Sequence, residues 1–168
     1  MRNAAYVKLI VTQEEAWRGD YSPRENPITP QELYDRRLDC ALTAWLLAHY
    51  DTLREGYWPD IKPDEIPSHG GAHRHGWFEN AIMYGAMVKI RQESCGFDGC
   101  LLWLFYHDNK GTEDMAHRFN QTEDRIIKRI NRALKYCAGW KNKRRGYRDW
   151  YTRHRERGIA KVNAQVDM

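Results

Sequence analysis

Between residues 117 and 161 stand 15 Lys and Arg side chains against 4 carboxylates, a local charge of +11. Five of these cations, Arg125, Lys128, Arg129, Arg132 and Lys135, recur at three- and four-residue steps. On an α-helix such steps share one arc, because each residue advances by about 100°. No carboxylate is interleaved between Arg125 and Lys135, so the arc is not a lattice of alternating ion pairs. Such a face attracts a polyanion; the alternative is a solvated face on an ordinary surface helix. A second basic stretch, 140–157, interleaves its cations, Lys143, Arg144 and Arg145 among them, with Trp140, Tyr147, Trp150 and Tyr151. Two Trp and two Tyr are uncommon in a solvated tail, which predicts that part of it packs as a further helix.

A different chemistry is suggested by His69, His73 and His75, followed by Cys95, Cys100 and His107. Imidazole and thiolate are the usual zinc ligands, which makes His73, His75, Cys95 and Cys100 the candidate metal-ligating residues. The two Cys have no second pair at zinc-finger spacing, and Gly96 and Gly99 fall beside them. They read more simply as a helix end and a buried helix start. No metal or other cofactor is therefore expected. Asp60, Asp64 and Glu65 near the histidines would suit a metal-dependent nuclease. No phosphate loop, nucleophile motif or His-Asn-His spacing accompanies them, and the chain is read as no enzyme.

These side chains must be positioned by helices. Thr29-Pro30-Gln31-Glu32 has the form of a capping box with Pro at the first helical position. Leu33, Leu38, Ala41, Leu42, Trp45, Leu46 and His49 then recur with helical period, predicting one amphipathic helix over about 30–54. Three prolines and Gly70-Gly71 make 57–76 a linker or ordered loop. A second helix is expected over 77–93, with Phe78, Ala81, Ile82, Gly85 and Val88 on one face and Gly96 as its stop. Near the N-terminus Thr12-Gln13-Glu14-Glu15 opens a short helix, while Val7–Val11 is readable as a strand. Leu101–Tyr106 predicts an apolar helix at the centre of a helical domain, broken by His107–Gly111. A short helix over 112–119, a turn at Asn120-Gln121-Thr122 and a longer helix over 123–136 follow, with Thr122 as N-cap. Ile126, Ile130, Ala133, Leu134 and Cys137 form the apolar stripe opposite the five cations. Short helix, three-residue turn, longer helix is the helix-turn-helix plan.

The stretch 98–137 resembles region 4 of bacterial sigma factors and the phage late-transcription regulators of the ArpU and RinA type. The resemblance is carried by Tyr106, Glu113-Asp114-Met115-Ala116, Phe119, Thr122, Arg125-Ile126, Ile130 and Arg132-Ala133-Leu134. Lys110, Gly111, Asn120 and Ile127 depart from the usual pattern; Asn120 replaces a turn glycine and tolerates a left-handed backbone. The resemblance implies that the first turn of the long helix enters the major groove. Glu123, Asp124, Lys128 and Arg129 would then face base edges, where a carboxylate accepts from cytosine and a cation donates to guanine. Thr122, Arg125 and Arg132 would lie near phosphates. Lys143, Arg144 and Arg145, outside the resemblance, read from the basic aromatic pattern of the tail as a phosphate-binding extension or a polymerase-binding surface, the alternative being a capping helix with basic decoration. Glu123 and Asp124 also suit any first helical turn, where the dipole favours acids.

Residues 1–116 carry 12 basic and 18 acidic side chains, so the formal +4 of the whole chain conceals an acidic body and a basic end. No apolar run is long enough to span a bilayer. Val7–Val11 is too short for a signal peptide, so four Cys read as reduced thiols. A hydrophobic share of 42% supports a packed core rather than disorder. The expected architecture is mainly α. An acidic helical portion (1–95) serves interaction or oligomerisation, a helix-turn-helix unit occupies 96–140, and a basic aromatic tail 141–168. The expected function is sequence-specific binding of double-stranded DNA in transcription regulation, in the cytoplasm of a bacterial or phage-infected cell. RNA polymerase and a second copy of the chain are further partners this reading admits, and a membrane is not. A phage small terminase subunit is the alternative within DNA binding.

Overall fold

Three helix starts among the described residues are set by side chains, Thr12, Asp39 and Thr122, that accept from backbone N–H groups left unpaired in a first turn. The computed structural model describes residues 7–18, 39–57, 59, 76–139 and 146–152, with backbone alone at 76–80. The capping box at Thr29, residues 60–75 with their histidines and carboxylates, and Lys143–Arg145 lie outside the described residues. α1 (Gln13–Arg18) follows a reciprocal box. Thr12 Oγ1 accepts from Glu15 N, and Glu15 Oε2 accepts from Thr12 N, both at 3.1 Å. α2 (Cys40–Ala48) starts at Asp39, whose carboxylate accepts from Ala41 N at 3.0 Å. α3 (Tyr50–Arg54), α4 (Gly76–Ser94), α5 (Gly96–Tyr106), α6 (Thr112–Arg118) and α7 (Glu123–Ala138) follow. A further helical segment covers 147–152. The described residues are mainly helical and contain no strand; Val7–Val11 is irregular backbone.

The single amphipathic helix expected over 30–54 is corrected in its described part. α2 and α3 are separate, divided at His49 (φ −105°, ψ 18°). His49 Nε2 donates to Trp17 O at 3.0 Å, and its ring stands edge-on to Trp17, so the side chain at this break is held by α1. Thr43–Ala48 are buried on every side rather than along one stripe, because α1, α4, α5 and α7 all pack around α2.

α5 lies inside the bundle: Leu101, Leu102, Phe105 and Tyr106 are buried, and Tyr106 Oη donates to Val11 O at 2.6 Å. Its approach to α4 depends on two glycines. Gly96 bends the chain between the helices at φ +59°. A Cβ on Gly99 would stand 1.9 Å from Gln92 O, and Gln92 Nε2 donates to Gly99 O at 2.7 Å. One apolar cluster runs from Val11 through Trp45, Val88 and Leu101 to Cys137. The expected division at 95/96 therefore does not coincide with a break in packing. No helix among the described residues is long and apolar enough to cross a membrane.

Candidate nucleic-acid interface

The turn between α6 and α7 is fixed by backbone geometry. Asn120 adopts φ +52°. Asn120 N donates to His117 O at 3.3 Å and Gln121 N to Ala116 O at 2.9 Å. That pair of bonds is a Schellman motif, with Asn in the left-handed position that glycine usually takes. Thr122 (φ −70°, ψ 148°) then caps α7, its hydroxyl accepting from Arg125 N at 3.3 Å. Thr112 Oγ1 donates to Glu123 Oε1 at 2.8 Å, tying the first residue of α6 to the first of α7.

The rotation of α7 about its axis is decided by its apolar face. Ile126, Ile130, Ala133, Leu134 and Cys137 are fully buried, joined by Ile127 and Ala138. Each buried Ile or Leu contributes roughly 1.5–3 kcal/mol, against about 0.5 kcal/mol for a helical ion pair. The stripe wins, and the basic residues face outward as its consequence. Arg91, whose guanidinium is held below its ordinary pKa by burial, donates to Cys137 O at 2.9 Å near the far end of α7.

The five cations of the arc fall into two groups. Arg125, Lys128 and Lys135 are exposed and form no ion pair among the described residues. Arg129 and Arg132 are half-buried and share one carboxylate. Arg129 Nη1 lies 3.0 Å from Asp98 Oδ1, and Arg132 Nη1 lies 3.5 Å from Asp98 Oδ2. No carboxylate stands within the arc itself, and the partner of these two cations sits 31 residues from Arg129, on α5. Asp98 also accepts from Tyr147 Oη at 2.5 Å. Burial first, and the bond to Asp98 second, hold the Tyr147 phenol well above its ordinary pKa.

Part of the basic aromatic tail packs as expected. Tyr147 and Trp150 meet the Tyr136 ring edge-on at 5.2 and 5.5 Å. Tyr151 lies 4.0 Å beneath the Arg132 guanidinium. On the opposite flank of α7, Asn131 Oδ1 accepts from Ile10 N at 3.0 Å and Asn131 Nδ2 donates to Lys8 O at 2.8 Å. α7 is thereby braced by segments from both ends of the chain.

Of the candidate readers, Lys128 and Glu123 are exposed, Asp124 is half-buried, and Arg129 is engaged by Asp98. Cys95 and Cys100 occupy opposite environments. Cys95 is buried, with its thiol 3.2 Å from Arg91 O, and Cys100 is exposed. His73 and His75 lie outside the described residues. Among the described residues no three His, Cys, Asp or Glu side chains are grouped to hold a metal ion. His107 instead stacks on Trp103 at 3.8 Å, with its two ring nitrogens facing Asp51 and Asp108.

No family model, curated protein or solved structure matches the chain. The residues that sequence reasoning missed are Asp98, Asn131 and Lys8. Asp98 carried a usable signal: a lone carboxylate in an otherwise apolar helix must find cations when buried.

Proposed function

We propose that the chain binds double-stranded DNA sequence-specifically through α6 and α7 and regulates transcription. In this reading α6–turn–α7 acts as a helix-turn-helix, with α7 laid in the major groove. The observation that carries it is the ridge of Arg125, Lys128 and Lys135, exposed and without ion pairs among the described residues, on a helix whose opposite face is fixed in the core. An α-helix with its side chains is about 10–12 Å across, the size of the major groove. Lys128 and the first turn of α7 would meet base edges, and Arg125 a phosphate. Arg129 and Arg132, held by Asp98, would set the helix against the backbone rather than read bases. RNA polymerase and a second copy of the chain are the partners proposed for the acidic half.

Selection of bound sequences from random duplexes tests this. A sharp motif, lost in Lys128→Ala and retained in Lys110→Ala, is the expected result. Binding without enrichment would overturn sequence-specific regulation in favour of a packaging or processing role. Absence of duplex binding would overturn DNA recognition altogether.

A further inference from the structure

Neither flank of α7 is bare. Measured from Lys128 at about 100° per residue, Asn131 stands about 60° to one side, and Arg132 and Arg129 stand about 40° and 100° to the other. The first flank carries residues 7–10 through the two Asn131 hydrogen bonds. The second carries the helical segment 147–152 through the Asp98–Tyr147 bond, the Tyr136 cluster and the Arg132–Tyr151 stack. Each flanking segment holds an exposed cation, Lys8 on one and Arg148 on the other. Neither forms an ion pair among the described residues.

Arg148 lies on the outward edge of its segment. Tyr147, Trp150 and Tyr151 face α7, and Tyr151, three residues on from Arg148, is its surface neighbour. Tyr151 is also the ring that stacks on Arg132, the more outward of the two arginines held by Asp98. Asp149, the exposed carboxylate of the segment, falls about 160° from Tyr151 and so points away from α7.

We propose that Lys8 and Arg148 form a two-sided phosphate clamp, each contacting one of the DNA strands that border the groove α7 enters. The inference rests on the DNA-binding reading above and adds two contacting residues to it. A helix that fills a groove about 12 Å wide leaves its lateral neighbours over the groove edges, and those edges are the phosphate backbones. Asn131 and Arg132 are adjacent in sequence, so the two braces meet the same turn of α7. The cations they carry would lie across the groove from one another. Phosphate contacts of this kind fix register and carry affinity without reading sequence. Asn131 is a positioning residue here, since it holds the backbone of residue 8 and touches no phosphate itself.

The test is fluorescence anisotropy of the full chain with a labelled mixed-sequence duplex across a salt series. Lys8→Gln and Arg148→Gln should each flatten the log–log salt slope by about 0.9, and the double variant by about 1.8. Arg54→Gln, an exposed cation on α3, which packs against α4, should leave the slope unchanged. Asn131→Ala should weaken binding and shrink the further effect of Lys8→Gln. Thermal unfolding of all five variants verifies folding, and the exposed glutamine variants should melt with the wild-type chain. A steep wild-type slope that neither glutamine variant alters overturns the clamp and leaves DNA binding standing. A flattening matched by Arg54→Gln also overturns it, by assigning the effect to net charge. A wild-type chain that fails to bind duplex removes both proposals together.

Discussion

Replacing Asp98 by Asn removes one negative charge from a site where two guanidiniums and a phenol converge. The carboxylate is 9% exposed and accepts from Arg129 at 3.0 Å and from Tyr147 at 2.5 Å, with Arg132 at 3.5 Å. Asn retains one acceptor oxygen but turns an N–H₂ group toward donors, so at least one charge-assisted bond is lost. Such a bond is worth about 1.5–3 kcal/mol. Breaking one side of a fully buried pair costs about 3–5 kcal/mol. The partial exposure of Arg129 (30%) and Arg132 (28%) holds the cost below that range. A chain of this size loses about 2–4 °C of Tm per kcal/mol, giving an expected fall of roughly 3–12 °C. Far-UV circular dichroism on heating reads it, with Asp149→Asn as the exposed control. The same substitution frees two cations on α7, Arg129 and Arg132, so the salt slope on duplex DNA should steepen while stability falls. A Tm change no larger than that of Asp149→Asn would refute the reasoning, because Asp98 would then not be the acceptor that holds these groups.

Three further outcomes are expected. The Tyr147 phenol titrates above its ordinary value near 10, so the folded state holds that proton longer than the unfolded chain does. Its contribution is complete below about pH 10 and is lost above it; denaturant unfolding should show a steeper alkaline decline in the wild type than in Tyr147→Phe. His49 titrates below its ordinary 6.5 because burial disfavours the imidazolium. There the unfolded chain binds the extra proton, so stability should fall as pH drops below 6.5, and His49→Gln should flatten that acid limb in the same assay. Gly99→Ala should destabilise by at least about 1–3 kcal/mol, since its Cβ meets the Gln92 carbonyl. Gly96→Ala, strained but sterically open, should cost about 1–2 kcal/mol, and paired urea titrations rank the two.

What was legible in the sequence was local. The α7 stripe is written in one window of residues, and burial of Ile126, Ile130 and Leu134 follows from the period alone. Asn120 was legible for a related reason, because a turn that needs φ > 0 leaves few residue types to choose from. The Thr12 box and the packed aromatic tail were readable in the same way. The break at His49 was not, since the carbonyl that satisfies its ring belongs to Trp17, 32 residues away. Nor was the all-round burial of Thr43–Ala48, which depends on four other helices closing around them. The candidate interface divides along the same line. Its exposed cations were read from spacing, whereas the neutralisation of Arg129 and Arg132 comes from a carboxylate on another helix.

Gln13 has a consequence for the portability of α6 and α7. Its single amide nitrogen donates to Phe105 O at 2.9 Å and to Lys110 O at 2.7 Å, bracketing the crossing from α5 to α6. Together with the Tyr106–Val11 bond, it stitches the entrance of the helix pair to the start of the chain. A fragment excised at residue 96 would lose the partners of Phe105 O, Lys110 O and Tyr106 Oη, those of Asn131, Gly99 O and Cys137 O, and half a hydrophobic core. The two helices are therefore not a cassette that can be grafted or inherited by themselves. Whatever selection acts on the exposed cations of α7 must act with residues 11 to 17 attached.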